Sequence, residues 1–106
     1  MVTFDDFKKM ELKVVEVKGV KDHPDADKLY MLTVDLGGEL RELVAGIKEH
    51  YRPEELLGKR IVVVANLEPA TIRGIESKGM LLAAQDDVGV SILITDRPVK
   101  PGSPVR

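Results

Sequence analysis

The sequence contains no cysteine and no tryptophan, and its only aromatic residues are two phenylalanines and two tyrosines. The absence of cysteine excludes disulfides, thiolate nucleophiles and zinc–thiolate sites, so the fold must depend on a hydrophobic core. No apolar run approaches the ~20 residues of a membrane-spanning helix, and the first residues lack a basic-then-apolar signal pattern. We therefore expect a single cytoplasmic domain over residues 1–106, with no membrane partner.

The charge balance does not by itself indicate a nucleic-acid partner. The chain has 16 basic and 18 acidic residues, which gives a formal net charge of -2. A nucleic-acid-binding protein of this composition must gather its cations on one face.

The sequence has no pattern of residues that indicates catalysis or metal binding. His23 and His50 are far apart and lie in no metal-ligand spacing. Asp22, Asp25 and Asp27 lack the glycine and the distal glutamate of a calcium loop. We therefore predict no catalytic residue, no metal site and no cofactor, and we interpret both histidines as ordinary surface or loop-packing residues.

Hydrophobic periodicity predicts short strands and only two short helices. Thr3 and Asp6 fit a capping box that opens a helix through about Lys9, with Phe4, Phe7 and Met10 turned inward. The apolar positions of Leu12–Val20 change faces midway, which predicts a bulged and bent first strand. The remaining predicted elements are strands over Leu29–Leu36, Leu40–Ala45, Ile61–Ala65, Met80–Gln85 and Val90–Thr95, a Gly37-Gly38 hairpin and a helix starting at Pro53. This order predicts an all-β fold, a five-stranded Greek-key barrel of the OB type with short helices.

One glycine-punctuated polar segment, Asn66–Met80, separates two apolar strands. It can present Asn66, Arg73, Ser77 and Lys78 together, because a loop held by rigid strands is a common place for binding residues. Arginine suits phosphate oxygens. The residue types therefore favour contact with an anionic ligand, although an isolated loop arginine often serves only solubility.

The same segment, with His23–Tyr30, Val44–Ile47, Tyr51–Leu56 and Gly58-Lys59, resembles a family of tRNA-binding domains. The family includes the C-terminal domain or beta subunit of methionyl-tRNA synthetases, a free-standing bacterial tRNA-binding protein and the cytokine-like factors associated with animal synthetases. The resemblance covers nearly the whole chain. It implies that Asn66, Arg73, Ser77 and Met80 lie on or beside the RNA-contacting face, with Lys28 near the ligand.

Two of the candidate contacts have an equally good structural interpretation. Met80 opens an apolar strand, so it could pack in the core instead. Arg41 could extend the basic patch, or it could pair with Glu39 or Glu42. Because the chain has too few aromatic residues to stack successive bases, we expect recognition of RNA shape, phosphate and ribose, which suits a folded RNA.

The resemblance also implies that residues 88–106 pair two subunits, with the tail folded across its partner in a homodimer. We therefore predict noncatalytic, structure-selective tRNA binding that serves methionyl-tRNA synthetase, either as its C-terminal domain or as a separate subunit. Two alternatives stay open. One is a secretion-type polypeptide-binding chaperone with the same barrel, and the other is a purely structural dimerisation module.

Overall fold

A computed structural model describes all 106 residues of the protein. No helix in it is long and apolar enough to cross a membrane. The elements in chain order are α1 (Phe4–Lys8), β1 (Leu12–Asp22), β2 (Tyr30–Asp35), β3 (Leu40–Ala45), α2 (Pro53–Leu56), β4 (Arg60–Val64), β5 (Ala70–Ile72), β6 (Ile75–Ser77), β7 (Met80–Leu81), β8 (Ala83–Gln85), β9 (Val90–Ile92) and β10 (Pro104–Val105).

The main antiparallel sheet runs in the order β3-β2-β1-β4-β7 and curls strongly because β1 belongs to both halves. The first half of β1 pairs with β4 and the second half pairs with β2. The register shifts between Val17 and Gly19, so Lys18 is an extra residue on β1. Such a bulge bends a strand and increases its twist. The predicted all-β fold of the OB type is confirmed, and so is the predicted bulge in the first strand.

Alternation along the strands builds the core. Tyr30, Leu32 and Val34 on β2 are all buried, as their alternation predicts, and Ile61 and Val63 of β4 pack in the same cluster. The Gly37-Gly38 turn follows β2, and the Asp35 carboxylate accepts hydrogen bonds from both glycine N–H groups at 2.8 Å. The bonds from Gly38 and Gly37 hold the pKa of Asp35 below its usual range.

The segment between β4 and β7 differs from the prediction. It is not one open loop, because β5 and β6 form a two-stranded hairpin inside it. The predicted strand Met80–Gln85 is also divided into β7 and β8 at Leu82, whose N–H donates to Val62 O at 3.0 Å. The polar segment is therefore a structured arm on the barrel.

The N-terminal helix is present but faces the other way from its prediction. Thr3 caps it by accepting a hydrogen bond from the Asp6 N–H at 3.1 Å. Phe4 is nevertheless 71% exposed, Phe7 37% and Met10 46%. The expectation that these side chains turn inward is wrong, because a five-residue helix lies at the edge of the barrel and its apolar face lines an open groove there.

The C-terminal tail lies on its own chain. β10 pairs with the start of β1, matching Leu12 with Val105, and Gly102 N–H donates to Val14 O at 2.7 Å. The expected pairing of two subunits through residues 88–106 stays a prediction.

Candidate nucleic-acid interface

Arg73 lies at the tip of the hairpin formed by β5 and β6. Ile72 and Ile75 are paired across the turn, which leaves Arg73 and Gly74 as its two central residues. Both have positive φ, 51° and 86°, the pattern of a type I′ turn. Asparagine followed by glycine is the preferred sequence there, because the left-handed region costs other residues roughly 1–2 kcal/mol. An arginine in this position is locally strained, and strain of this kind is concentrated at functional sites.

The loop between β1 and β2 carries Lys28 to the same place. His23 N–H donates to Leu29 O at 3.1 Å and closes the loop at its base. The Arg73 guanidinium donates through Nη2 to the backbone oxygen of Asp25 at 3.0 Å. Arg73 and Lys28 thus line one groove of about 400 Å³, with Asp25, Ala26, Asp27 and Leu29 completing its walls.

The two cations of this groove remain available to a ligand. Arg73 and Lys28 are both exposed, and neither makes a salt bridge in the structure. The one protein contact of the guanidinium is a neutral carbonyl, which leaves its other donors for phosphate oxygens. The Asp25 and Asp27 carboxylates at the rim can accept hydrogen bonds from ribose hydroxyls. The groove therefore offers complementary groups to a sugar–phosphate backbone.

Ser77 and Arg41 stabilise the barrel through their polar atoms. Ser77 is only 2% exposed, and its hydroxyl accepts from Val44 N–H at 2.9 Å and donates to Gly79 O at 2.8 Å. Arg41 donates through Nη1 to Ala65 O at 2.6 Å and pairs through Nε with Glu39 at 2.6 Å. The structure thus supports the interpretation in which Arg41 pairs with Glu39. The buried Ser77 hydroxyl is inaccessible to RNA.

Asn66 is also engaged, although it is exposed as a residue. Its Oδ1 accepts from Glu11 N–H at 2.8 Å, and its Nδ2 donates to Lys9 O at 2.7 Å. Both ends of the amide thus fasten the end of α1 to the exit of β4. One N–H donor and one oxygen lone pair of this exposed amide remain free, so a contact of Asn66 with RNA stays a prediction.

Lys78 and Met80 keep accessible side chains on the other side of the hairpin. The Lys78 ammonium is 3.9 Å from the Glu76 carboxylate, a long and exposed pair. Met80 is 45% exposed. A second groove, of about 530 Å³, lies beside Lys78, but Glu39, Glu42 and Glu76 line it against only two cations. Phosphate is therefore better accommodated in the groove of Arg73 and Lys28.

His23 belongs to this site, although its sequence interpretation was ordinary packing. It is 4% exposed, and its ring connects the loop of Lys28 to the hairpin of Arg73. The partner residue Ile72 is 49 positions away along the chain. No sequence spacing reveals such a contact, and only the buried position of a polar ring points to it.

The OB-type barrel places the chain in a class of small β domains whose members include binders of oligonucleotides and oligosaccharides. Residues 12–104 match the model of a family described as a putative tRNA binding domain, and the chain belongs to that family. The resemblance found in the sequence motifs is thereby confirmed.

Individual relatives agree with the family assignment. The chain is 59% identical over 105 residues to a methionine–tRNA ligase of Pyrococcus abyssi, and this alignment covers 99% of the chain and 14% of the ligase. The chain thus spans about a seventh of the curated relatives that it matches. Among solved structures, a MetRS-related protein of Pyrococcus horikoshii has a TM-score of 0.92 and 37% identity, covering 100% of this chain and 98% of that one. A CsaA chaperone protein of Picrophilus torridus has a TM-score of 0.93 and 31% identity, with each chain fully covered.

Proposed function

We propose that this chain is a noncatalytic module that binds folded tRNA and raises the capture of tRNA by methionyl-tRNA synthetase in the cytoplasm. The observation that carries the proposal is the groove in which Arg73 and Lys28 stand unpaired. The relatives named methionine–tRNA ligase support the choice of partner. The module contributes affinity through effective concentration, because a tethered domain holds the RNA near the enzyme without any new contact at the reacting atoms.

The proposed contacts are Lys28 and Arg73 at the centre, with Lys78 and Met80 on the flank of the hairpin. Ser77 is left out because its buried hydroxyl is bonded on both sides, and Arg41 and Asn66 are placed outside the centre because hydrogen bonds to the protein already hold them. The shortage of aromatic side chains supports recognition by phosphates and ribose hydroxyls, not by stacked bases.

Binding of unfractionated tRNA by Arg73→Asn tests the groove. Asparagine keeps the turn and removes the guanidinium. We expect binding to weaken by about tenfold to a hundredfold, since a charge-assisted hydrogen bond contributes about 1.5–3 kcal/mol. The slope of log affinity against log salt should flatten by somewhat under about one unit.

Arg97→Asn is the matched control. The Arg97 side chain is 90% exposed, pairs with Asp96 and lies on a different groove. An equal loss of tRNA affinity in the two variants would show that Arg73 is not part of the site. The proposed tRNA-binding function would then still stand. If the unmodified chain fails to bind tRNA above single-stranded RNA, the proposed function itself is wrong.

We also propose a two-fold homodimer through the apolar face that Phe4, Phe7, Met10 and Val105 form. The face supports this pairing because both phenylalanines of the chain are exposed on it. Here the tail, which lies on its own β1, builds part of the interface. In sedimentation the unmodified chain should be a dimer and Phe4→Ser/Phe7→Ser a monomer. The same mass for the two proteins would contradict the pairing.

A polypeptide-binding chaperone is the second candidate, and the likeness to the CsaA chaperone protein favours it. The identity is lower there, 31% against 59% for the ligase of Pyrococcus abyssi. Suppression of the aggregation of an unfolded protein, together with negligible tRNA affinity, would support the chaperone. A dimer with neither activity would leave a purely structural module.

A further inference from the structure

His23 is one of two side chains that bond the β1–β2 loop to the β5–β6 hairpin, and Arg73 is the other. Its Nδ1 lies 3.0 Å from the Asp25 backbone nitrogen, and its Nε2 lies 3.1 Å from Ile72 O. The ring is almost completely buried. A buried polar ring with both nitrogens engaged is a fixed bridge between the β1–β2 loop and the hairpin.

The partners of the ring determine its protonation. A backbone N–H can only donate, so Nδ1 must accept from Asp25 and carries no proton. The single proton of the neutral ring is therefore on Nε2, where it is donated to the carbonyl of Ile72.

The hairpin depends on this bridge for its orientation. Residues 67–76 make only two hydrogen bonds to residues outside the hairpin: Ile72 O accepts from His23 Nε2, and Arg73 Nη2 donates to Asp25 O. The base of the hairpin is held at its far end, where Lys78 N–H donates to Glu42 O at 3.1 Å. The tip is thus an arm fixed at its base, and near the tip only the imidazole and the Arg73 guanidinium itself bond it to the β1–β2 loop.

We propose that His23 is a positioning residue for RNA: its imidazole holds Ile72, and thereby Arg73, against the loop that carries Lys28. The two cations then meet the sugar–phosphate backbone in one preformed geometry. Without the bridge, the arm must be ordered when RNA binds, and that ordering reduces affinity. This inference rests on the proposed function of the groove.

Two substitutions at His23 separate the two ring contacts. In His23→Asn the side-chain oxygen can still accept from the Asp25 N–H, as in an Asx turn, but the side chain is too short to reach Ile72. His23→Gln has the reach to donate to Ile72 O and gives up the Asp25 contact. We expect His23→Asn to weaken tRNA binding about threefold to tenfold and His23→Gln to recover much of that loss.

A double-mutant cycle with Arg73→Asn shows whether His23 acts through the arginine. The proposal predicts that His23→Asn has an effect of less than about twofold once Arg73 is asparagine, because there is no guanidinium left to position. All affinities are measured where circular dichroism shows every variant folded. If His23→Asn does not fold, His23→Ser takes its place in the same cycle, because serine can also accept from the Asp25 N–H but cannot reach Ile72.

The outcomes distinguish a failure of the positioning role of His23 from a failure of the proposed tRNA-binding groove. If Arg73→Asn binds like the unmodified chain, the groove fails as the site and the inference fails with it. If Arg73→Asn weakens binding while the two losses simply multiply, the groove stands and the positioning role is overturned. A lower melting temperature for His23→Asn with full tRNA affinity would likewise overturn it, since the ring would then serve stability alone.

Discussion

The two ends of the β5–β6 hairpin carry similar polar residues but use them in opposite ways. At the base, which we call the barrel seam, Arg41, Ser77 and Gly79 bond or pack inside the protein. At the hairpin tip, Arg73 and the neighbouring Lys28 remain exposed, and neither forms a salt bridge with a carboxylate. The difference shows that residue type in a polar segment does not determine function.

A polar side chain bonds to the protein where backbone groups nearby lack partners, and it stays available to a ligand where they do not. At the barrel seam β3 lies beside the end of β6 but does not pair with it as a sheet strand. The Ser77 hydroxyl accepts a hydrogen bond from the Val44 N–H in place of a carbonyl. Arg41 satisfies Ala65 O at the end of β4. Buried backbone groups need such partners. At the exposed tip Arg73 bonds to one backbone carbonyl, that of Asp25, so its other donors are left for a ligand.

Gly79→Ala gives the largest expected effect in this comparison. Gly79 has φ of 130°, and an added Cβ would lie 2.9 Å from Val64 O, inside the barrel seam. Strain and overpacking together should lower the free energy of unfolding by about 3 kcal/mol or more. Urea denaturation measures it.

Gly74→Ala is the matched change at the hairpin tip. Its φ is also positive, at 86°, but nothing lies within 4 Å of an added Cβ. We expect a loss of only about 1–2 kcal/mol. Similar losses at the two glycines would contradict the division of the hairpin into a packed base and an open tip.

Ser77→Ala should have the next largest effect. It leaves the Val44 N–H without its acceptor, and a buried unsatisfied donor costs about 1–3 kcal/mol. The tRNA affinity of the folded variant should be unchanged. Thr71→Ala, on the exposed part of the same hairpin, is the control and should stay within about 0.5 kcal/mol. A loss of tRNA affinity in Ser77→Ala, without a loss of stability, would return Ser77 to the RNA site.

Arg41→Gln should cost about 1 kcal/mol in the same urea experiment. The change removes the hydrogen bond to Ala65 O and the pair with Glu39. Arg52→Gln removes an exposed arginine that pairs with Glu54 and Glu55, so it should cost less. If Arg41→Gln is the more stable variant and binds tRNA more weakly, the assignment of Arg41 to the barrel seam is wrong.

The fold was predictable from local patterns because its strands alternate cleanly. The face shared by Tyr30, Leu32 and Val34 is visible in the sequence, and so is the change of faces that marks the bulge in β1. The inward turn predicted for Phe4 and Phe7 failed because a helical period identifies an apolar face but not what covers it.

The site was only partly predictable. Arg73 and Lys28 were named from the sequence, but the hairpin was missed because arginine in the first turn position hides the asparagine–glycine pattern. The paired isoleucines, Ile72 and Ile75, were the available signal. The assignments of Ser77, Arg41 and Asn66 to internal hydrogen bonds depend on partners far along the chain, which no spacing rule supplies.

Arg73→Asn should have the smallest effect on stability, and of the opposite sign to the changes at the barrel seam. Asparagine tolerates the left-handed conformation that Arg73 adopts, so the free energy of unfolding should stay level or rise by up to about 1 kcal/mol. Arg73→Val also removes the cation but tolerates this φ poorly, so it should be less stable than Arg73→Asn while binding tRNA as weakly. Urea denaturation of the pair separates turn strain from charge. An Arg73→Asn variant that loses stability would mean that the contact with Asp25 O supports the fold, and the hairpin tip would then differ from the barrel seam only in degree.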